Sequence, residues 1–160
     1  MDGLQIVEGD LQAHDLKFSI VAARFNDEVV ERLIDGALAA LERHGATAGQ
    51  VELVRVPGAF DLPVVVRRIA EAGRSDAIIA LGAVIRGETA HFDFIAAECA
   101  SGLARVASDT GVPVAFGVLT TDSDEQAADR AGGKAGNRGA EAAEAAIRLA
   151  SLLKKLEART

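Results

Sequence analysis

Of the three histidines in this chain, one stands where a parallel sheet would present it to a ligand. His91 closes the run Gly82-Ala83-Val84-Ile85-Arg86-Gly87-Glu88-Thr89-Ala90-His91, which follows a fully apolar stretch and opens an amphipathic one. Gly87 lets backbone come close to a bound group. Glu88 and Thr89 offer N–H groups where the dipole of the following helix favours an anion, and Thr89 adds a hydroxyl donor. The chemistry is that of a phosphate cradle beside an imidazole, the side chain that exchanges protons near neutral pH. No Gly-Lys-Ser/Thr follows, so this is not a Walker loop. His14 lies in a polar N-terminal stretch, and His44 falls at a helix end where the dipole accounts for it.

The aromatic supply is small, with no Trp, no Tyr and six Phe. Phe25, Phe60 and Phe116 fall at expected strand ends, where their faces could stack on a flat heterocycle or simply close the core. Arg130 and Lys134 flank Ala131-Gly132-Gly133 and could supply a cation to a phosphate or neutralise a helix end. Arg86 is either part of the cradle or the anchor of its loop through an ion pair. Cys99, the single cysteine, sits among Ala96, Ala97, Glu98 and Ala100 and reads as an inert core thiol. No metal-binding set, cysteine cluster or Gly-x-Ser-x-Gly elbow occurs. The residues alone point to a phosphate-bearing ligand, a stacked ring and a proton-transferring histidine.

These groups need elements to position them. Strands are expected at 4–8, 16–23, 51–56, 76–82 and 113–118. Helical spacing of Val29, Val30, Leu33, Ile34, Ala37, Leu38 and Leu41 predicts a helix, capped by Asn26 or Asp27 and stopped by Gly45. Asp61 can cap a second helix with Pro63 in its first turn. A third spans about 91–109, Ser123-Asp124-Glu125-Gln126 opens a short fourth, and an Ala-rich fifth runs from about Asn137 to 157. Residues 132–139, with four glycines, read as a hinge. Apolar strands alternating with amphipathic helices indicate a parallel sheet covered on both faces. Ligands of such sheets bind beyond the carboxyl ends of the strands, where Arg24-Phe25-Asn26, Pro57 to Asp61, Ala83 to His91 and Phe116 to Thr121 all fall. The segment 4–8 could pair at its own sheet's edge or at a neighbour's.

The 160 residues suit one domain, here an N-terminal arm 1–15 and a core 16–160. Apolar residues make up 49% and charged residues 26%, and no apolar run approaches a bilayer span. A start without a basic, apolar leader makes a cytoplasmic location the default and a membrane role unexpected. The net charge of −7 argues against nucleic acid as partner.

The same segments closely resemble the lumazine synthase family. The matching stretches are Val56 to Pro63, Ala80 to Asp93, Gly117 to Thr121, Asp129 to Gly132 and Lys134 to Asn137, and the likeness runs in order from about residue 15 to 157. The resemblance implies a flavodoxin-like α/β/α fold with a central four-stranded parallel sheet. It implies condensation of 5-amino-6-(D-ribitylamino)uracil with 3,4-dihydroxy-2-butanone 4-phosphate, the penultimate step of riboflavin synthesis, without a cofactor. A flavin-binding or storage member of the same fold is the alternative. By matching position, Phe25 should stack on the pyrimidine and Asn26 border it. Gly58, Ala59, Phe60 and Asp61 should flank the ribityl chain, and Ala83, Val84 and Ile85 should line the ring site. Gly87, Glu88 and Thr89 should hold phosphate with Arg130, and His91 should move protons. Phe116 and Arg130 should reach the site from an adjacent subunit.

Three departures stand out. The family commonly has Glu where Asp61 stands, and many members have Lys where Arg138 stands, so a fork replaces a point charge toward the substrate. Gly133 replaces a frequent Thr, which should loosen the hinge. The resemblance also implies a homo-oligomer with sites between neighbours, either a pentamer or twelve pentamers in a sixty-chain shell. The segment 4–8 would then extend a neighbour's sheet. The uninterrupted hinge is similar to that of shell-forming members, and a shell could enclose riboflavin synthase.

Overall fold

The computed structural model describes residues 1–160. Four strands form one parallel sheet in the order β2-β1-β3-β4: β1 Phe18–Ala23, β2 Val51–Val56, β3 Ala77–Ile85 and β4 Val114–Thr121. Helices α1 Asp27–Arg43, α2 Leu62–Ala72, α3 His91–Thr110, α4 Asp124–Arg130 and α5 Arg138–Glu157 connect or follow them. This is the expected α/β architecture with a central four-stranded parallel sheet flanked by helices. No helix is long and apolar enough to cross a membrane.

The strands show why. A strand alternates its side chains between faces, and here both faces are covered. Phe18, Ile20 and Ala22 of β1 join Ile79 and Leu81 of β3 in a core with Leu33 and Ile147 from α1 and α5. Val21 and Ala23 join Ile78 and Ala80 in a second core with Val66, Cys99 and Leu103 from α2 and α3. Each large aliphatic side chain so buried contributes about 1.5–3 kcal/mol. Cys99 lies fully inside this second core, where burial pushes its thiol up to about 11. The α1–α5 packing is close because Gly139 has no side chain: a Cβ there would fall on the Leu33 carbonyl oxygen.

Several details depart from the expectations. β3 and β4 run to Ile85 and Thr121, beyond the expected ends at 82 and 118. Their register pairs Ile78 with Val114 through Ile85 with Thr121, so the ladder continues as long as both chains stay extended. Phe116 is therefore not at a carboxyl end; it sits early in the edge strand, opposite Ala80 and half-exposed.

Residues 4–8 form no strand within the chain, because neither sheet edge of the same molecule pairs with them. Leu4 and Ile6 are exposed. The arm is tied to α5 instead: Lys155 Nζ donates to the Glu8 carbonyl at 2.9 Å, and Asp10 N–H donates to Ser151 Oγ at 2.7 Å.

The glycine-rich hinge contains a minimal antiparallel pair, β5 Ala131–Gly133 and β6 Gly136–Asn137. Gly133 does not loosen it. A Cβ at that position would stand 2.7 Å from Asp129 Cα and 2.9 Å from the Ala128 carbonyl oxygen, so the backbone has folded tightly against the end of α4.

The C-terminal end of α1 is fastened to α5 by Glu144, which meets Arg43 at 2.8 Å and His44 at 3.2 Å. The hydrogen bond from His44, then that from Arg43, holds the Glu144 carboxyl below its usual range. A folded-state value below the unfolded one gives stability that is present above the unfolded value and disappears as pH falls through the folded one. Glu144→Gln should therefore lower Tm by about 2 °C near neutral pH, the scale of a half-exposed pair. The difference from the parent should shrink below about pH 4. Thermal melts from pH 3 to 7 check this, and an unchanging difference would remove the ion pair from the account.

Candidate active site

The sheet changes winding direction at β1. The chain leaves β1 for β2 on one side and returns to β3 on the other. Such a switch leaves a crevice at the carboxyl ends of the diverging strands. A cavity of about 550 Å³ occupies it.

Each strand end supplies one wall. From β1 come Phe25 and Asn26. From the turn after β2 come Pro57, Gly58, Ala59, Phe60 and Asp61. From the end of β3 and its loop come Ala83, Val84, Ile85, Gly87 and Thr89, and from the first turns of α3 come His91, Phe92 and Ile95. A second cavity, about 620 Å³, opens at the opposite end of the sheet and holds none of the expected site residues. Its charged groups include the internal pairs Asp76–Lys154 at 3.6 Å and Glu52–Arg74 at 3.5 Å.

Asn26 holds the crevice in shape. It occupies the N-cap position of α1 but makes no side-chain cap. Its Nδ2 instead donates to the Ala83 carbonyl at 2.9 Å, bridging the β1 and β3 ends across the switch. It is the only non-glycine residue with positive φ, at 62°. Asn tolerates this left-handed geometry better than most residues. Next to it Phe25 is 72% exposed, an apolar face left open in the cavity wall. Phe60 is exposed likewise, on a single 3-10 turn, Ala59–Asp61. That turn is closed by the Gly58 N–H donating to Asp61 Oδ2 at 2.9 Å. Asp61 thus caps its own turn, not α2, where no side-chain cap forms.

The loop between β3 and α3 is short of internal partners. Arg86 N–H is taken by the Thr121 carbonyl at 2.8 Å, and Asp93 N–H by the Ala90 carbonyl. Between them, no acceptor within the chain takes the N–H of Gly87, Glu88, Thr89 or Ala90. Thr89 Oγ1 lies 3.4 Å from the His91 N–H, which leaves the hydroxyl proton free to donate elsewhere. Four consecutive open N–H groups at the positive end of a 20-residue helix make a site for a phosphate-sized anion. His91 is the first residue of that helix and is exposed.

Arg86 resolves as a loop anchor. Its guanidinium donates to Asp122 at 3.0 Å and Asp93 at 3.2 Å and lies 4.3 Å from the Phe92 ring centre. Asp122, then Asp93, holds its already high pKa higher still.

Four expected residues stand apart from this cavity: Glu88, Phe116, Arg130 and Arg138. Glu88 is exposed beside the cradle and contributes only its N–H there. Arg130 ends α4, with Nη1 donating to the Gln126 carbonyl at 3.1 Å and no carboxylate partner. Arg138 begins α5 with its charge offset by Glu141 at 2.6 Å. Lys134 is paired with Asp129 at 3.4 Å. Pro57, in the segment expected beyond β2, lines the cavity, as do Phe92 and Ile95, which the sequence reading did not single out as ligand-binding. Phe92 and Ile95 stand three residues apart, on one face of α3, and that spacing was the available signal.

Fold and site together define a parallel α/β protein with an aromatic-walled crevice, a helix start whose preceding N–H groups are open, and an adjacent histidine. The family model described as 6,7-dimethyl-8-ribityllumazine synthase matches residues 15–154. The chain is 56% identical over 156 residues, 97% of its length and all of the other protein, to 6,7-dimethyl-8-ribityllumazine synthase of Halorhodospira halophila (strain DSM 244 / SL1). It is 52% identical over 153 residues to the protein of that name from Nitratidesulfovibrio vulgaris (strain DSM 19637 / Miyazaki F), covering 96% of this chain and 98% of the other. The chain belongs to the 6,7-dimethyl-8-ribityllumazine synthase family.

The Asn26 bridge is separable from its backbone strain. Asn26→Ala loses the bond to Ala83 and meets the left-handed penalty, each about 1 kcal/mol. Asn26→Gly loses only the bond and should be the less destabilising change. Thermal melts of the two variants decide, and equal loss would mean that the φ at this position carries no strain.

Proposed function

We infer that this crevice condenses 5-amino-6-(D-ribitylamino)uracil with 3,4-dihydroxy-2-butanone 4-phosphate to 6,7-dimethyl-8-ribityllumazine, phosphate and water. The chain is a transferase of riboflavin biosynthesis. One observation supports this assignment of the site above the others. A single space of about 550 Å³ brings together two exposed phenylalanine faces, His91 and the open N–H groups of Gly87 and Thr89.

The chemistry follows from those walls. Phe25 offers a face for the pyrimidine, and Ala83, Val84 and Ile85 form its apolar floor. Gly58 to Asp61 border the ribityl chain. The loop 87–90 holds the phosphate, with Arg130 completing the charge. The 5-amino group adds to the ketone and loses water, giving an imine. Loss of the proton from the neighbouring hydroxyl-bearing carbon expels phosphate from the next carbon and leaves an enol, which takes up a proton at its terminal carbon to become a methyl ketone. The ribitylamino nitrogen then closes the ring on that new carbonyl, releasing a second water. The amine is already nucleophilic and phosphate leaves readily, so holding both substrates together supplies much of the acceleration. His91 is the group placed to carry protons between these steps.

The working unit is a homo-oligomer. Arg130 and Phe116 do not reach the cavity of their own chain, which fits a site finished by a neighbour. The exposed arm with Leu4 and Ile6 can pair with the free edge of a neighbour's β2, whose Leu53 is 42% exposed. A ring of five chains meets both needs, and the compact hinge at 131–137 leaves room for rings to close into a sixty-chain shell. Residues 1–160 act as one domain in this unit. No observation favours a flavin-storage role.

His91→Ala should lower kcat about a hundredfold, the usual contribution of a proton shuttle, with both KM values little changed. Arg130→Ala should raise KM mainly for the phosphate-bearing substrate. Steady-state kinetics following lumazine absorbance check both. Normal turnover without His91, or an unmoved KM without Arg130, would remove that residue from its role.

A further inference from the structure

Arg86 does not line the cavity, yet its side chain binds two carboxylates and an aromatic ring beside the cradle. Its own N–H continues the β3–β4 ladder to Thr121. Its guanidinium reaches Asp122, just beyond β4, at 3.0 Å and Asp93, in the first turn of α3, at 3.2 Å. One face lies 4.3 Å from the centre of the Phe92 ring, and Phe92 itself lines the cavity. Meanwhile the four residues spanned by Arg86 and His91 spend none of their N–H groups within the chain. Backbone with no internal bonds has many conformations open to it, and fixing each residue costs about 1–2 kcal/mol. A loop that binds phosphate through such groups must be held in shape from outside.

We propose that Arg86 is a positioning residue: with Asp93, Asp122 and Phe92 it clamps the β3–α3 loop so that the N–H groups of 87–90 converge on one phosphate. This rests on the reading of that loop as the phosphate site. The clamp spans the loop as a staple would, from residue 86 to residues 92 and 93, and ties both ends to β4. Each ion pair is exposed and weak alone. Two carboxylates and a ring on one planar guanidinium fix its orientation, which a lysine could not reproduce. Asp122 also stands two residues before α4, whose last residue is Arg130, so the same clamp fixes where that arginine is presented.

The rival role for Arg86 is direct attraction of the phosphate by its charge. The two roles predict opposite signs when the carboxylates are neutralised. Asp93→Asn/Asp122→Asn frees the Arg86 charge but loosens the loop. Under the clamp, this variant raises KM for the butanone phosphate about tenfold, weakens inhibition by inorganic phosphate equally, and leaves KM for the pyrimidine within about twofold. Arg86→Lys does the same. Should Arg86→Lys fail to assemble, as judged by gel filtration, the double carboxylate variant decides alone. An unchanged or lower KM for the phosphate substrate, or equal rises in both KM values, would overturn the clamp. Thr89→Ala separates the two readings. If it weakens inorganic phosphate inhibition while the clamp variants do not, the loop binds phosphate and only the clamp fails. If inorganic phosphate does not compete in the parent enzyme, the loop reading falls and the clamp with it.

Discussion

The crevice depends on one constraint: a parallel sheet must be covered on both faces, and its crossovers leave the carboxyl ends of the strands uncovered where the winding reverses. Here the reversal falls between β1 and β3, and both strands are buried almost throughout. Rigid strands deliver rigid ends. Asn26 then bridges the gap at the reversal through the Ala83 carbonyl, in a backbone geometry few residues accept. That bridge keeps β1 and β3 at a fixed spacing and leaves Phe25 facing outward. Every other wall of the cavity is referred to these two strands.

The chain carries a net charge of −7 and must still bind a phosphate ester. Long-range attraction cannot do this. Short-range partial charges can, because repulsion between exposed charges is damped beyond about 8 Å at physiological salt. On the proposed reading, open backbone N–H groups at the start of α3 provide them, and Arg130 adds one fixed charge. Arg86 does not contradict this picture, because Asp122 and Asp93 take up its charge. Arg130 has no such carboxylate partner and so keeps its charge unpaired within the chain. In the proposed division, one arginine does the work of geometry and another the work of charge.

Much of this was legible in the residues. Apolar runs marked the strands, and the carboxyl-end rule then selected Phe25, Phe60, Thr89 and His91, all of which line one cavity. Strand ends were less legible. β3 and β4 continue past Gly82 and Val118 because their mutual register extends them, and pairing between distant segments is invisible to local pattern. That error moved Phe116 to a carboxyl end it does not occupy. The segment 4–8 has strand composition but no partner in its own chain, so pattern alone cannot say what it pairs with. The Gly133 hinge misled for a related reason: a glycine reads as freedom, whereas here the missing side chain admits the end of α4. An ion pair anchoring the loop was one reading of Arg86, but its Asp122 partner was not legible, lying 36 residues away in sequence.

The central claim is that a working site takes its cradle and His91 from one chain and Arg130 from the next. Hybrid assembly tests it. Chains carrying His91→Ala and chains carrying Arg130→Ala, each impaired when assembled alone, are co-refolded in equal amounts and assayed at low butanone phosphate. If sites lie between chains, about a quarter of them regain both residues by random assembly, and the mixture exceeds the mean of its two parents. If each site belongs to one chain, no site regains both, and a mixture equal to that mean contradicts the account.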